Sequence, residues 1–271
     1  MSSITAHCLV KNEENFVYYA VKSAVDYVDK VIIFDTGSTD KTVELIQKLL
    51  KEYPEKIIFE EKGPCDKVRH TQLRQEMLDR TKTNWFMILD GDEVWTKRGM
   101  EEILKITREN NSVGCILAPY YLCVGDIFHH SIRGKYNLGK YVGKDLKIHA
   151  LVRVFKITPE VAWAAPYGED FVKDAQGNLL RKDNYVIMNN KFWHASALVR
   201  SSKDGDVHLG RHKQVITYSL KVFGEGLRIK ERIPEVFENV DKMRLALFKS
   251  WINAALLILY GLGVIKNRLW V

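Results

Sequence analysis

The 271-residue chain has four cysteines, Cys8, Cys65, Cys115 and Cys123, with no CxxC pair and no spacing that suits a structural metal. A disulfide-framed or zinc-stapled scaffold is therefore not expected, and a reduced, cytoplasmic setting is. Cys8 and Cys115 fall in apolar, strand-like runs and read as small core residues. No basic stretch leads into a long apolar one near Met1, so no secretory leader is expected. Internal repeats and low-complexity tracts are also lacking. The longest nearly unbroken apolar stretch, 251–265, has 15 residues and only Asn253 as a strongly polar interruption. A bilayer-spanning helix needs roughly 20.

What remains is the composition of a folded α/β-sized chain, 46% hydrophobic and long enough for one large domain or somewhat more. The net charge of +7 is uneven: residues 200–271 carry 13 Lys/Arg against 7 Asp/Glu, whereas residues 1–199 carry 28 against 27. A basic partner surface belongs in the last quarter of the chain.

The clearest stretch runs from Trp85 to Trp95. Trp85-Phe86-Met87-Ile88-Leu89 reads as a strand buried on both faces, and Asp90, Asp92 and Glu93 follow at its end, with Gly91 easing the turn. So much negative charge calls for a cation or solvent. Hard oxygen ligands suit Mg²⁺ or Mn²⁺, with substrate phosphates completing the shell. Upstream, strands at Ile4 to Val10, Val31 to Phe34 and Ile57 to Phe59 alternate with helical patterns after Phe16, after the Asp35-Thr36-Gly37-Ser38-Thr39-Asp40 turn, and from Asp66 to Arg80. Ser38 or Thr39 is the expected N-cap of the second helix. Alternation with short connections predicts a mostly parallel sheet with helices on both faces. Ligands of such sheets bind beyond the carboxyl ends of the strands. Lys11-Asn12-Glu13, Asp35 to Ser38 and Asp90 to Asp92 should therefore share one rim.

The blocks KNEENF, FDTGSTDKT and RQEML…WFMILDGDE resemble, in order and spacing, the family 2 glycosyltransferases of GT-A fold over roughly residues 1–95, with weaker echoes to about residue 200. The resemblance implies a Rossmann-like GT-A sheet, a nucleotide-diphosphate sugar donor, and Mn²⁺ or Mg²⁺ held by a DxD motif. It also implies transfer to a hydroxyl acceptor, usually with inversion, as in polysaccharide biosynthesis or glycolipid assembly. By position, Asp35 matches the acid that meets the base, with a turn-capping Asp at a strand end as its other reading, and Asn12 with Glu13 match the pair beside the nucleotide. For Asn12 and Glu13 a plain helix-start reading stays open. Asp40 closes the GSTD block and reads as structural.

Arg74 matches an arginine that meets the diphosphate, although Gln75 stands where the family has Asn; the other reading of Arg74 is a solvated helix position. Asp92 matches the direct metal ligand, and Asp90 a ribose contact or a further ligand. His194 matches a histidine that helps bind the metal or the pyrophosphate, its other reading being a plain core or surface histidine beside Trp193. Arg153 matches the arginine of an R-x-F strand that either supports the site or points outward. Asp170 matches the general base, with Glu169 orienting it or serving in its place.

The expected layout is a nucleotide-sugar half over 1–95, an acceptor-side half over 96–200 and a basic helical extension over 201–271. Within that extension, 249–268 suggests peripheral contact with the inner face of a membrane; a dimer or lid helix and a buried packing helix are the other readings. The acceptor, whether glycan, lipid-linked or protein, is left open. The rival readings are sugar-phosphate nucleotidyl transfer, whose glycine-rich N-terminal loop LVKNEENF does not supply, and a silent relative that binds nucleotide, glycan or membrane. No nucleic-acid partner is expected, because only charge points to one.

Overall fold

A computed structural model describes residues 2–109, 112–124, 126–131, 136–137, 147–159, 161–164, 171–173, 184–203 and 226–238. Strand and helix alternate from the start: β1 (Ile4–Val10), α1 (Val17–Ala24), β2 (Lys30–Asp35), α2 (Thr42–Glu52), β3 (Ile57–Glu61), α3 (Lys67–Asp79) and β4 (Trp85–Ile88). A short β5 (Glu93–Val94) and α4 (Lys97–Glu109) follow. Strands then dominate: β6 (Cys115–Val124), β7 (Asp126–Ser131), β8 (Tyr136–Asn137), β9 (Lys147–Ile148), β10 (Ala150–Lys156), β11 (Ala162–Ala164), β12 (Phe171–Lys173), β13 (Tyr185–Ile187), β14 (Phe192–His194) and β15 (Gly226–Arg228).

The main sheet runs β15-β7-β6-β10-β4-β1-β2-β3, with β13 and β14 also pairing with β6 and β5 pairing with β14. The four strands β4, β1, β2 and β3 are parallel, as the alternation predicts. Past β4 the sheet is mixed: β10 enters antiparallel between β4 and β6, so β6 again runs in the direction of β4.

Burial on both faces explains why the central strands are mostly apolar, with Thr5 and His7 the polar exceptions in β1. In β2, Val31 and Ile33 point to the face that holds α1, α2 and α4, where Val17, Val21, Ile46, Leu49, Met100 and Ile103 are buried. Ile32 and Phe34 point to the other face and meet Leu73 and Met77 of α3. β4 divides likewise: Trp85, Met87 and Leu89 join the first face, while Phe86 and Ile88 pack with Leu78 on the second. Cys8 and Cys115 are buried in the core and outside any disulfide, as expected.

Helix starts depart from the sequence pattern in one place. Asp66 caps α3 as a side-chain acceptor for Arg69 N at 2.7 Å, but neither Ser38 nor Thr39 caps α2. That helix begins later, at Thr42, whose N–H donates to Asp40 Oδ1 at 2.9 Å. Ser38 is drawn away by the first loop and by Asp35: its hydroxyl accepts from Asn12 N at 2.9 Å and donates to Asp35 Oδ1.

Pro234 precedes a single 3₁₀ turn, Glu235–Phe237. Most of the helical extension expected over 201–271 lies outside the described residues, including the 249–268 stretch. Among the described residues no helix is long and apolar enough to cross a membrane.

His7 shows how tightly this core is closed. Its ring stacks on Phe86 at 5.0 Å, and its Nε2 shares a 2.6 Å hydrogen bond with Thr81 Oγ1. Burial, helped by the charge of Arg74, pushes His7 down to about 3. The unfolded chain protonates this histidine near pH 6.5. Stability is therefore complete above pH 6.5 and falls as pH drops from there toward 3, at a slope of about 1.4 kcal/mol per unit for this one proton. Urea unfolding at pH 7, 6 and 5 should show His7→Gln, which still offers Thr81 a partner, with a shallower loss than the wild type. Parallel slopes would remove His7 as the cause.

Candidate active site

Parallel strands deliver their carboxyl ends to one rim, and the three loops named from the sequence meet there. β1 and β2 run in register from Thr5↔Lys30 to Val10↔Asp35, and Leu89 N donates to His7 O at 3.0 Å, so the chain past β4 leaves beside the end of β1. The contact is close enough to demand glycine at 91. A Cβ there would sit 2.9 Å from both Glu13 Cγ and Val10 Cγ1, below any real van der Waals separation.

Four carboxylates and three guanidiniums interlock at this rim. Arg74, from α3, donates through Nη2 to Asp90 Oδ1 at 2.9 Å. Arg153, from β10, donates through Nη2 to Asp90 Oδ2 at 2.9 Å, and through Nε, also at 2.9 Å, and Nη2 to Glu93 Oε1. Arg200 donates to Glu13 Oε1 and, at 3.1 Å, to Asp92 Oδ2.

Both arginines named from the sequence are thus buried parts of the cluster, not solvated or outward-pointing residues. Arg74 also lies 5.3 Å from the centre of the Trp163 ring, and Trp163 N donates to Gln75 Oε1 at 2.8 Å. The residue that departs from the family pattern therefore ties β11 against α3.

The charges set each other's protonation. Burial works against an ionised Asp90, but Arg153 and then Arg74 outweigh it and hold its carboxyl well below the usual range. Burial pushes the Glu93 carboxyl up, against the pull of Arg153. Glu93 Oε2 has no hydrogen-bond partner among the described residues, which agrees with that direction.

Asp35 and Asn12 are used partly by the fold. Asp35 Oδ2 accepts from the N–H groups of Gly37 and Ser38, both at 2.9 Å, so its carboxylate caps its own turn. Asn12 stands in the left-handed region at φ 53°, and its Oδ1 accepts from Thr39 N at 2.8 Å. The amide nitrogen of Asn12 and the Nη1 of Arg74 are buried donors without a partner among the described residues. Glu13 stands at the start of α1 through its backbone, its carbonyl accepting from Val17 N at 2.9 Å, while its side chain turns to Arg200.

A metal would find two protein ligands here. The backbone of β14 pairs antiparallel with β5 in the register His194↔Glu93, which carries the imidazole to the acidic turn. His194 Nε2 stands 3.7 Å from Asp92 Oδ1, too far for a hydrogen bond. Two atoms bound to one small divalent cation lie about 3–4 Å apart, given bonds near 2.1 Å. Burial lowers the affinity of His194 for a proton despite Asp92, leaving a neutral ring able to ligate. Asp90, expected as a ribose contact or a further ligand, accepts from Arg74 through Oδ1 and from Arg153 through Oδ2. Among the described residues no group of three or more His, Cys, Asp or Glu is placed to hold a metal. Asp92 and His194 thus fit a cation that takes its other ligands from a bound anion. The two candidate bases, Glu169 and Asp170, lie outside the described residues.

Arg200 had no signal in the sequence. It follows no motif, and its partners are 108 and 187 positions away.

Comparison with known proteins identifies a family. The model of glycosyl transferase family 2 matches residues 8–159. The SPbeta prophage-derived glycosyltransferase SunS of Bacillus subtilis (strain 168) is 28% identical over 120 residues, which are 44% of this chain and 27% of SunS. The chain thus matches only about a quarter of that curated relative. Among solved structures, TarS of S. aureus superposes with a TM-score of 0.47 at 10% identity, over 93% of this chain and 43% of TarS. Glucosyl-3-phosphoglycerate synthase from Mycobacterium tuberculosis gives 0.45 at 15% identity, over 83% and 80%.

Removing one partner of a buried ion pair costs about 3–5 kcal/mol, because the other charge stays behind. Arg153→Met should therefore lower unfolding stability by about that much in urea titrations. A loss below about 1 kcal/mol would mean that Asp90 and Glu93 are neutralised in another way. Gly91→Ala should cost about 1–3 kcal/mol by overpacking, and stability equal to the wild type would contradict the close approach to Glu13.

Proposed function

The chain belongs to glycosyl transferase family 2, and from that premise we propose that it moves a sugar from a nucleoside-diphosphate donor to a hydroxyl acceptor, with inversion at the anomeric carbon. The observation that carries this reading is the facing pair Asp92 Oδ1 and His194 Nε2, 3.7 Å apart at the carboxyl rim of a parallel sheet and backed by arginines.

In this reading Asp92 and His194 hold Mn²⁺ or Mg²⁺. When bound, the cation offsets the charge that grows on the departing diphosphate. Arg74 Nη1 and the Asn12 amide are donors left for the ligand. Asp35 stands at the end of β2 for the base, while keeping its own turn closed. Asp90 organises Arg74 and Arg153 instead of binding metal.

On the acceptor side, the resemblance assigns Asp170 as the group that takes the acceptor's hydroxyl proton, with Glu169 beside it. The freed oxygen attacks the anomeric carbon, the bond from that carbon to the diphosphate oxygen breaks, and a single displacement inverts the centre. The acceptor class is a glycan, lipid-linked or protein hydroxyl, and 249–268 is the stretch proposed to touch a membrane surface.

Calorimetric titration of UDP, GDP, CDP and dTDP, each with Mn²⁺ and with EDTA, tests the donor side. One diphosphate should bind with metal and fail with EDTA, and Asp92→Asn should abolish that difference. Asp170→Asn should bind the same diphosphate as the wild type while losing transfer by about 100-fold or more. Metal-independent binding, or turnover surviving in either variant, would overturn the corresponding assignment.

A further inference from the structure

One guanidinium joins parts of the chain that the sequence keeps far apart. Arg200 bridges Glu13 and Asp92, and the three side chains are 5%, 7% and 5% exposed. The segment that carries it is anchored on both sides. Asn15 N donates to Arg200 O and Asn15 Nδ2 to Val199 O, both at 3.0 Å. Ser201 Oγ donates to Asp40 Oδ2 at 2.6 Å, and Ser202 N to Glu14 Oε1 at 2.7 Å. Two acids of the KNEEN and GSTD blocks, Glu14 and Asp40, thus hold residues 199–203 against the rim. Arg200 reaches Asp92 because the backbone is fixed there, not through the ion pair alone.

Asp92 consequently meets a fixed positive charge through Oδ2, and its Oδ1 lies 3.7 Å from His194 Nε2. A divalent cation arriving alone at that oxygen would meet strong repulsion from the guanidinium, because little water screens charges this deep. A diphosphate arriving with the cation brings negative charge that offsets both. We propose that Arg200 is a positioning residue that sets the order of binding: it neutralises Asp92 in the absence of nucleotide, so that the site refuses a bare divalent cation and accepts it together with a nucleoside diphosphate. This rests on Asp92 being the cation ligand. The coupling is reciprocal, so whatever factor the diphosphate adds to cation affinity, the cation adds to diphosphate affinity.

The test is Mn²⁺ binding to the full chain, followed by the electron paramagnetic resonance signal of free Mn²⁺, with and without UDP or whichever diphosphate the calorimetry selects. Wild type should bind Mn²⁺ alone weakly and at least about tenfold more tightly with the diphosphate. Arg200→Met should bind Mn²⁺ alone about tenfold or more tightly than the wild type does, shrinking the effect of nucleotide. Arg200→Lys, which keeps the charge, should resemble the wild type.

In EDTA, Arg200→Met should melt at a lower temperature and recover when Mn²⁺ is added; a purely structural loss would not recover. If the variant folds only with Mn²⁺ present, that too supports the proposal, whereas failure to fold in both conditions overturns it. A folded Arg200→Met with unchanged or weaker affinity for Mn²⁺ alone overturns it as well. Asp92→Asn separates the two levels. If that variant keeps wild-type Mn²⁺ binding, the cation assignment itself fails; if it loses binding while Arg200→Met is unchanged, only the role of Arg200 falls.

Discussion

The structure depends on burying acid at the end of β4 and answering it from a distance. Asp92 and Glu93 are almost wholly enclosed, and a carboxylate removed from water is costly unless charge and hydrogen bonds replace what water gave. The answering guanidiniums come from α3, from β10 and from the segment after β14, so the cluster forms only when the whole domain has assembled. Such a cluster contributes less to net stability than to uniqueness: a misplaced α3 or β10 would strand a buried charge. The same constraint holds a reactive rim in one geometry, which electrostatic catalysis requires.

The sheet explains why this rim and no other edge carries the polar groups. Four parallel strands leave their last residues on one side, and apolar side chains cover both faces of β1, β2 and β4. Buried polar atoms inside the strands need a partner, as His7 finds in Thr81, and most polar groups sit where the chain turns. Even there most serve the fold: Asp35 caps its turn, Asp40 starts α2 and anchors Ser201, and Ser38 ties two loops together. The ligand-facing groups are a minority set into a scaffold of equally polar neighbours.

That mixture determines how far the sequence was legible. Alternating apolar runs located β1, β2, β3 and β4 with their helices, because both periods are local properties of the chain. The Asp90–Glu93 turn was legible because three acids after a buried strand conflict with local comfort. Residues defined by long-range contact were harder to place. Arg74 lies in a helix whose few apolar positions, Val68, Leu73, Met77 and Leu78, leave its buried side hard to distinguish, since Val68 is itself exposed. Ser38 has the chemistry of a cap, but a competing carboxylate three residues earlier claims its hydroxyl. Arg200 is one of 41 basic residues, and nothing local separates it from the others.

The antiparallel entry of β10 between β4 and β6 has a bearing on synthesis. A ribosome releases β1 to β4 well before Ala150 to Lys156 emerge, so the parallel half waits with the apolar edge of β4 unpaired. An open edge of Trp, Phe, Met and Ile is a template for the wrong partner. It closes when Val154, Phe155 and Lys156 register against Met87, Phe86 and Trp85, and the same strand then delivers Arg153 to Asp90 and Glu93. The nascent chain therefore closes the open edge of β4 and answers Asp90 and Glu93 in one event, while Asp92 waits for Arg200. A chain cut after residue 95 would have the motif without the means to fold around it.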